Sequence, residues 1–310
     1  MTDKQKTPRN VLNDIQLGLG AWAWGDRVVW EFGRGYGAKE VRQAFEASLV
    51  EGIRLIDTAE VYGSGRSERF VGEFVRDYAN GVLVATKFFP WPWRLNRKSL
   101  PAALKASLGR LNMASVELYQ VHNPVSPLSP EVMAEGLVEC VESGMTRTVG
   151  VSNFDEGRML RTYSTLARHN VELASNQMHY SLLQRQVEKN GLLARCQELG
   201  IRLIAYSPLE MGLLTGKYGR SHFPSGSRAL RYATLVGRIQ PLLKLMTEIG
   251  QDQGGKSNAQ IALNWVIAKG ALPIPGAKNA DQAQENAGAI GWTLDATQIA
   301  ALDAASDRIT

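Results

Sequence analysis

Ile53-Arg54-Leu55-Ile56-Asp57-Thr58-Ala59-Glu60-Val61-Tyr62-Gly63-Ser64-Gly65-Arg66-Ser67-Glu68 is the stretch whose reading decides the fold. An apolar run stops at a carboxylate, a tyrosine follows, a Gly-Ser-Gly turn comes next, and Ser67-Glu68 opens a helical pattern. That order reads as strand, loop, helix. An acid at the carboxyl end of a strand, with a phenol just beyond it, is where an α/β enzyme places chemistry. A structural reading competes: an Asp that caps a turn and a Tyr that packs on its loop. The rest of the chain decides between them.

The same unit repeats on both sides. Leu17-Gly18-Leu19-Gly20 is a first short strand, followed by an indole-rich loop with Trp22, Trp24 and Trp30. Runs rich in Val, Ile and Leu recur at 82–86, 116–121, 146–151, 171–176, 201–205 and 271–274. Helical patterns lie between them at 38–51, 67–79, 98–111, 130–143, 155–168, 187–199 and 257–269, and one more at 279–289 follows the last strand. Asp57, Lys87, His122, Ser152, Gln177 and Ser207 end six of the strands, at successive differences of 30, 35, 30, 25 and 30 residues. About 30 residues is one βα step. Eight such steps close into an α/β (β/α)8 TIM barrel, whose active sites lie at the carboxyl ends of its strands. A doubly wound sheet would also alternate, but its first strand needs a glycine-rich fingerprint. Here Gly18 and Gly20 are followed by tryptophans and no third glycine. The expected organisation is a flexible arm at 1–14 and a single barrel domain at 15–310. A long insertion follows strand seven at 210–256, with a basic stretch up to Arg231 and an amphipathic helix at about 235–249, and an extra helix at 295–306 ends the chain. A connection as long as the insertion reads as a lid or a binding loop.

Composition excludes several classes. The net charge of +5 over 310 residues is spread, with no run of five Lys or Arg, so no nucleic-acid partner is expected. Cys140 and Cys196 sit inside apparent helices and far apart, which points to a reducing compartment without a disulfide framework. The first ten residues are polar, and no apolar run approaches spanning length, so neither a secretory signal nor a membrane partner is expected. A cytoplasmic location follows, unless a transit peptide has been removed from a longer precursor. No metal ligand set is expected, and the oligomeric state is not legible. One motif is a decoy. Gly250-Gln251-Asp252-Gln253-Gly254-Gly255-Lys256-Ser257 matches the phosphate-loop pattern, which needs a buried strand before it. The preceding residues 242–249 have helical spacing instead, so Gly250 reads as a helix cap and Ser257-Asn258-Ala259-Gln260 as a capping box.

If strands two, three and four are neighbours, Asp57, Lys87 and His122 project at one rim under Tyr62. Each alone has a structural reading, as an ion pair or a core imidazole. Together they form a proton-transfer device. A phenol with a pKa near 10 is too weak an acid for neutral pH, and an ammonium nearby lowers that value. A carboxylate behind the lysine keeps it charged, and a neutral imidazole orients a substrate carbonyl.

Asp57-Thr-Ala-Glu-Val-Tyr62-Gly, Ala-Thr-Lys87-Phe and Leu-Tyr-Gln-Val-His122-Asn-Pro resemble the Asp/Tyr/Lys/His tetrad of the aldo-keto reductases. The resemblance continues through Gly150-Val-Ser-Asn-Phe154, Ser175-Asn-Gln-Met-His-Tyr180, Ala205-Tyr-Ser-Pro-Leu209, Gly212-Leu-Leu-Thr-Gly-Lys217 and Pro273-Ile-Pro-Gly-Ala-Lys278. It covers about residues 15–306, and the later stretches are most similar to a bacterial and plastid branch. It implies NADPH-dependent reduction of small-molecule aldehydes or ketones, with hydride from nicotinamide C4 and a proton from Tyr62. It implies that Ser152, Asn153 and Gln177 hold the carboxamide and that Tyr206 stacks on the nicotinamide. Ser207, Leu209, Gly212 and Lys217 would line the pyrophosphate, Lys278 would meet the 2′-phosphate, and Gln282, Glu285 and Asn286 would lie near adenine. Gly276 belongs to the same cofactor set. Lys278 also sits where a helix starts, a position whose free N–H groups attract phosphate, although Lys278-Asn279 also reads as a simple cap.

Trp22, Trp24, Phe88, Phe89, Trp91 and Trp93 follow strands one and three and belong at the same rim. Of these, Trp22, Trp24 and Phe88 are expected to touch substrate, as an apolar pocket wall. The chain ends soon after its last helix, so an open site with broad carbonyl tolerance is expected, favouring aromatic or medium-chain aldehydes. A reading from another class is a cofactor-binding regulatory subunit, since potassium-channel β-subunits share this fold and tetrad. The shortness of the stretch before the barrel favours the enzyme. A barrel enzyme of phosphate-sugar chemistry would leave the Asp-Tyr-Lys-His set unexplained.

Overall fold

Eight parallel strands lie in sequence order in one sheet: β1 Gly18–Gly20, β2 Leu55–Asp57, β3 Leu83–Phe88, β4 Val116–Val121, β5 Thr146–Ser152, β6 Leu173–His179, β7 Arg202–Tyr206 and β8 Leu272–Pro273. The computed structural model describes residues 10–78, 81–219, 232 and 234–309. A parallel bridge from Gly20 to Gly276 and a bond from the Gly20 N–H to Pro275 O (2.9 Å) bring the last strand back to the first. This is the (β/α)8 barrel expected from the 30-residue rhythm. The first-strand glycines serve closure, not phosphate: a Cβ at Gly20 would come within 2.8 Å of Ile274 O.

Period-two alternation sets two cores. Leu55, Ala85, Leu118, Ala174, Ile204, Leu272 and Ile274 point inward and fill the barrel. Alternate residues such as Val84, Phe88, Tyr119 and Val121 point outward and join the larger core under the helices. Those helices are α1 Ala38–Val50, α2 Arg66–Arg76, α3 Ser99–Leu111, α4 Pro130–Glu142, α5 Glu156–Arg168, α6 Gln186–Lys189, α7 Leu192–Glu198, α8 Leu235–Arg238, α9 Gln240–Asp252, α10 Asn258–Ala268, α11 Ala280–Ala287 and α12 Ala296–Asp307. Several start on a side-chain cap: Ser129, Asp155, Ser257, Asn279 and Asp295 each accept from an N–H in the first turn.

Three expectations change in detail. The pattern at 187–199 splits into α6 and α7, because Gly191 turns left-handed (φ 80°) and Asn190 Oδ1 takes the Leu192 N–H. The helix expected at 235–249 splits into α8 and α9, with Pro241 in the first turn of α9, where a missing N–H does no harm. Gly250 is not a cap: α9 runs on to Asp252, and the chain reverses through Gly254 and Gly255 while the Gly255 and Lys256 N–H groups bond Gly250 O. The capping box at Ser257 and Gln260 is present, so the phosphate-loop match joins two helices and follows no strand. The basic part of the insertion, 220–231, lies outside the described residues.

Of the arm expected at 1–14, residues 1–9 lie outside the described residues. Val11–Asp14 forms a 3-10 turn across the amino end of the barrel, with Leu12 fully buried in the inner core. Asn10 Nδ2 donates to Ala174 O at 2.8 Å and fixes that turn to β6. Cys140 and Cys196 are buried and free, and burial pushes both thiols up to about 12. Among the described residues, no helix is long and apolar enough to cross a membrane.

Candidate active site

The carboxyl ends of β2, β3 and β4 bring the tetrad together. Asp57 ends β2, Lys87 is the last inward residue of β3, and His122 follows β4. Lys87 is fully buried, and its Nζ donates to Asp57 Oδ1, to Thr58 O (2.9 Å) and to the Tyr62 hydroxyl (3.4 Å). Asp57 Oδ2 also accepts from Gln120 Nε2 at 3.3 Å and Gln177 Nε2 at 3.0 Å. The carboxylate therefore sits among donors on all sides. Gln120 was missed by the sequence reading, although it shares the inward face of β4 with Leu118, two residues before His122.

Tyr62 reaches this centre on a tight reversal. Gly63, Ser64 and Gly65 all take left-handed φ, at 55°, 57° and 83°. The next helix is then pinned by Ser67, whose hydroxyl donates to Ala21 O at 2.8 Å. The phenol is held well above its usual value, first by burial and then by the Asp57 charge. The net shift therefore runs opposite to the expected lowering, with burial first and Asp57 second, and Tyr62 stays a protonated donor. Burial lowers the Lys87 ammonium, with Asp57 opposing that shift. His122 is lowered to about 3, by burial first and by Lys87 second, so its ring is neutral. Its buried Nδ1 has no hydrogen-bond partner among the described residues. The ring stands edge-on to Tyr62 at 5.6 Å.

A cavity of about 580 Å³ opens above the tetrad. Asp57, Tyr62 and His122 line it, and so do all thirteen residues expected to hold the cofactor: Ser152, Asn153, Gln177, Tyr206, Ser207, Leu209, Gly212, Lys217, Gly276, Lys278, Gln282, Glu285 and Asn286. Lys87 lies beneath, off the cavity wall but bonded to Asp57 and Tyr62, which line it. The polar wall is already bonded together. Ser152 Oγ donates to Gln177 O (2.9 Å), Asn153 Nδ2 to His122 O (3.2 Å), and the Tyr206 hydroxyl to Asn153 Oδ1 (2.9 Å). Behind Tyr206, the His179 ring stacks at 5.1 Å and 15°. Glu210, buried in the loop after β7, bonds His179 Nε2 and accepts from Ser181 Oγ, both at 2.7 Å. This His179–Glu210 pair was not singled out by the sequence reading. No spacing rule links a strand end to a residue 31 positions later in a loop.

The residues fit an anionic dinucleotide. Lys217 Nζ crosses the bare backbone of Gly212, where a Cβ would stand 2.8 Å from it. Asn279, not Lys278, caps α11, so the Lys278 chain is left for the cavity edge, where it lies over the Trp30 and Tyr36 rings at 4.9 and 4.5 Å.

The substrate side needs correction. Trp22 lines the cavity and stacks on Tyr62 at 6.1 Å. Trp24 does not reach it: the indole is fully buried against Phe74, and its N–H donates to Ala277 O at 2.9 Å. Phe88 is fully buried too, because it points outward from β3 into the helical core, under the Arg94 guanidinium. The rings that join Trp22 on the wall are Trp30 and Phe89. Phe89 was legible by parity, since it is two residues beyond the inward Lys87.

The chain belongs to the aldo/keto reductase family, whose family model matches residues 16–307. It is 40% identical over 306 residues to the chloroplastic pyridoxal reductase of Arabidopsis thaliana, covering 94% of this chain and 82% of that protein. Among solved structures, the glycerol dehydrogenase from Gluconobacter oxydans superposes with a TM-score of 0.81 at 27% identity, covering 95% of this chain and 92% of that one. An aldo/keto reductase from Klebsiella pneumoniae, crystallised with NADP and acetate, superposes at 0.73 with 26% identity, covering 93% and 90%.

Proposed function

We propose that this protein is an NADPH-dependent reductase of small aldehydes and ketones with broad specificity, favouring aromatic aldehydes. One observation carries the reading: the Lys87 ammonium is clamped between the Asp57 carboxylate and the Tyr62 hydroxyl at the floor of the cavity. NADPH, when bound, supplies a hydride to the carbonyl carbon. Tyr62 gives its proton to the carbonyl oxygen, so C=O becomes CH–OH. The charge left on Tyr62 falls beside Lys87, which is held in place beforehand and needs no reorganisation. Neutral His122 orients the carbonyl oxygen, and Tyr62 regains its proton from solvent. Asp57 aims Lys87 and does not act as the base.

The cofactor reading rests on the wired polar wall, on Lys217 and Lys278, and on the NADP-bound Klebsiella relative. The substrate reading rests on the rings that flank the tetrad. Pyridoxal, the aldehyde in the name of the Arabidopsis relative, is planar and aromatic and is the first compound to assay. NADPH oxidation by wild type and Tyr62→Phe across an aldehyde panel tests the proposal. Loss of one general acid should lower kcat/KM by about 10²–10⁴-fold. Equal rates would remove the mechanism, and strict preference for one sugar or steroid would remove the broad specificity.

A further inference from the structure

The β3–α3 connection holds two indoles out in water on a loop that is fastened at its root. Trp93 is 69% exposed and Trp91 36%. Their rings stack at 5.0 Å, only 5° from parallel. Trp91 meets Phe89 at 4.5 Å, and Phe89 stands edge-on to His122 at 5.7 Å. Four rings thus run without a gap from the imidazole at the reacting centre to solvent.

The loop cannot swing these rings freely. Glu60, just past β2, accepts from the Phe89 N–H at 2.6 Å and from both Arg94 terminal nitrogens at 2.5 and 2.9 Å. Arg94 also donates to Phe89 O at 2.8 Å. The pair is largely buried, and its charges are satisfied within the anchor. Indoles exposed on a held loop gain little from folding, whereas a ligand ring laid on them would remove apolar surface from water. The row of rings offers apolar faces, and the nearby Arg94 and Glu60 charges are engaged with each other, so it suits a second aromatic ring better than a phosphate or a sugar.

We propose that Trp91 and Trp93, continuing from Phe89, form an outer aryl subsite that takes the distal ring of a two-ring aryl aldehyde. This rests on the carbonyl-reductase reading, because that reading puts the aldehyde group at Tyr62 and His122. The subsite sets selectivity and leaves the chemistry to the tetrad.

The test compares benzaldehyde with biphenyl-4-carbaldehyde on wild type and on Trp91→Ala/Trp93→Ala. Both side chains are surface-exposed, so the fold should persist, and circular dichroism checks it. The ratio of kcat/KM for the two-ring over the one-ring aldehyde should fall about tenfold, the loss expected for one good aromatic contact, with the change in KM. An unchanged ratio would overturn the subsite. If wild type turns over neither aldehyde, the reductase reading fails on its own. Calorimetric binding of biphenyl-4-methanol then still decides the subsite: equal affinity in both proteins would sink it, and weaker binding in the double variant would uphold it.

Discussion

Along β5, β6 and β7 the cavity wall is a hydrogen-bonded fabric, in which Ser152, Asn153, Gln177 and Tyr206 hold one another and the His122 main chain. Along the loops after β1 and β3 it is a set of rings, Trp22, Trp30 and Phe89, held by ring contacts and by the Glu60–Arg94 anchor. Hydrogen bonds have direction, so the first wall presents fixed donors and acceptors and suits one cofactor. Ring contacts tolerate sliding and edge or face approach, so the second is the more adaptable surface, as the breadth proposed above requires. One protein thus combines a strict half and a permissive half, with the tetrad on the line between them.

The largest break in this contrast should come from that line. Lys87→Met strands the buried Asp57 carboxylate, which should cost about 3–5 kcal/mol of stability in urea unfolding. It should also lower kcat/KM roughly 10³-fold. Adding Asp57→Asn should recover stability without activity; recovery of both would show that the charge plays no chemical part. Next come two neighbours on the permissive side. Phe88→Ala should destabilise by about 3–5 kcal/mol, as for a core ring. Phe89→Ala should leave stability nearly intact while raising KM for aromatic aldehydes, and matched effects would erase the inward–outward distinction. On the strict side, Lys278→Ala should weaken NADPH roughly 10–100-fold in a fluorescence titration and leave NADH unchanged, if the lysine meets the 2′-phosphate. An equal loss for both cofactors would place it elsewhere.

The remaining test concerns pH. The unfolded chain protonates His122 near 6.5, whereas the folded chain holds it neutral down to about 3. Between those values the unfolded state binds more protons, so this group's contribution is complete above about 6.5 and is lost as pH falls. His122→Gln should flatten the acid arm of the stability curve by about 1.4 kcal/mol per pH unit. An unchanged arm would mean that the ring takes a proton in the folded state.

The strict half was largely legible, and the reason is physical. Its residues end strands, and a strand end fixes which way a side chain points. Lys87, His122, Ser152 and Gln177 could be placed at one rim from the 30-residue rhythm alone. The ring-bearing half was legible in composition and misread in direction. Phe88 and Phe89 are adjacent and chemically identical, yet one faces the helices and the other the cavity. Counting in twos from Lys87 would have separated them. Trp24 had no such rule, because its loop is placed by contacts with Ala277 and Phe74, far away in sequence. The direction of the Tyr62 shift was also out of reach, since proximity to an ammonium can be guessed from order along the chain but depth from water cannot.

Where β8 returns to β1, the barrel is fastened by the Gly20–Gly276 bridge and the Gly20–Pro275 bond, beside a last strand of two residues. Gly20, Ile274, Pro275 and Gly276 also line the cavity. In the language of amide exchange, this seam is where the cylinder has least to break before it opens. A ligand seated along it acts as a staple, and its occupancy adds directly to the free energy of the closed form. Cofactor seated there, as proposed, should therefore protect the Gly20 amide, which donates to Pro275 O, from exchange.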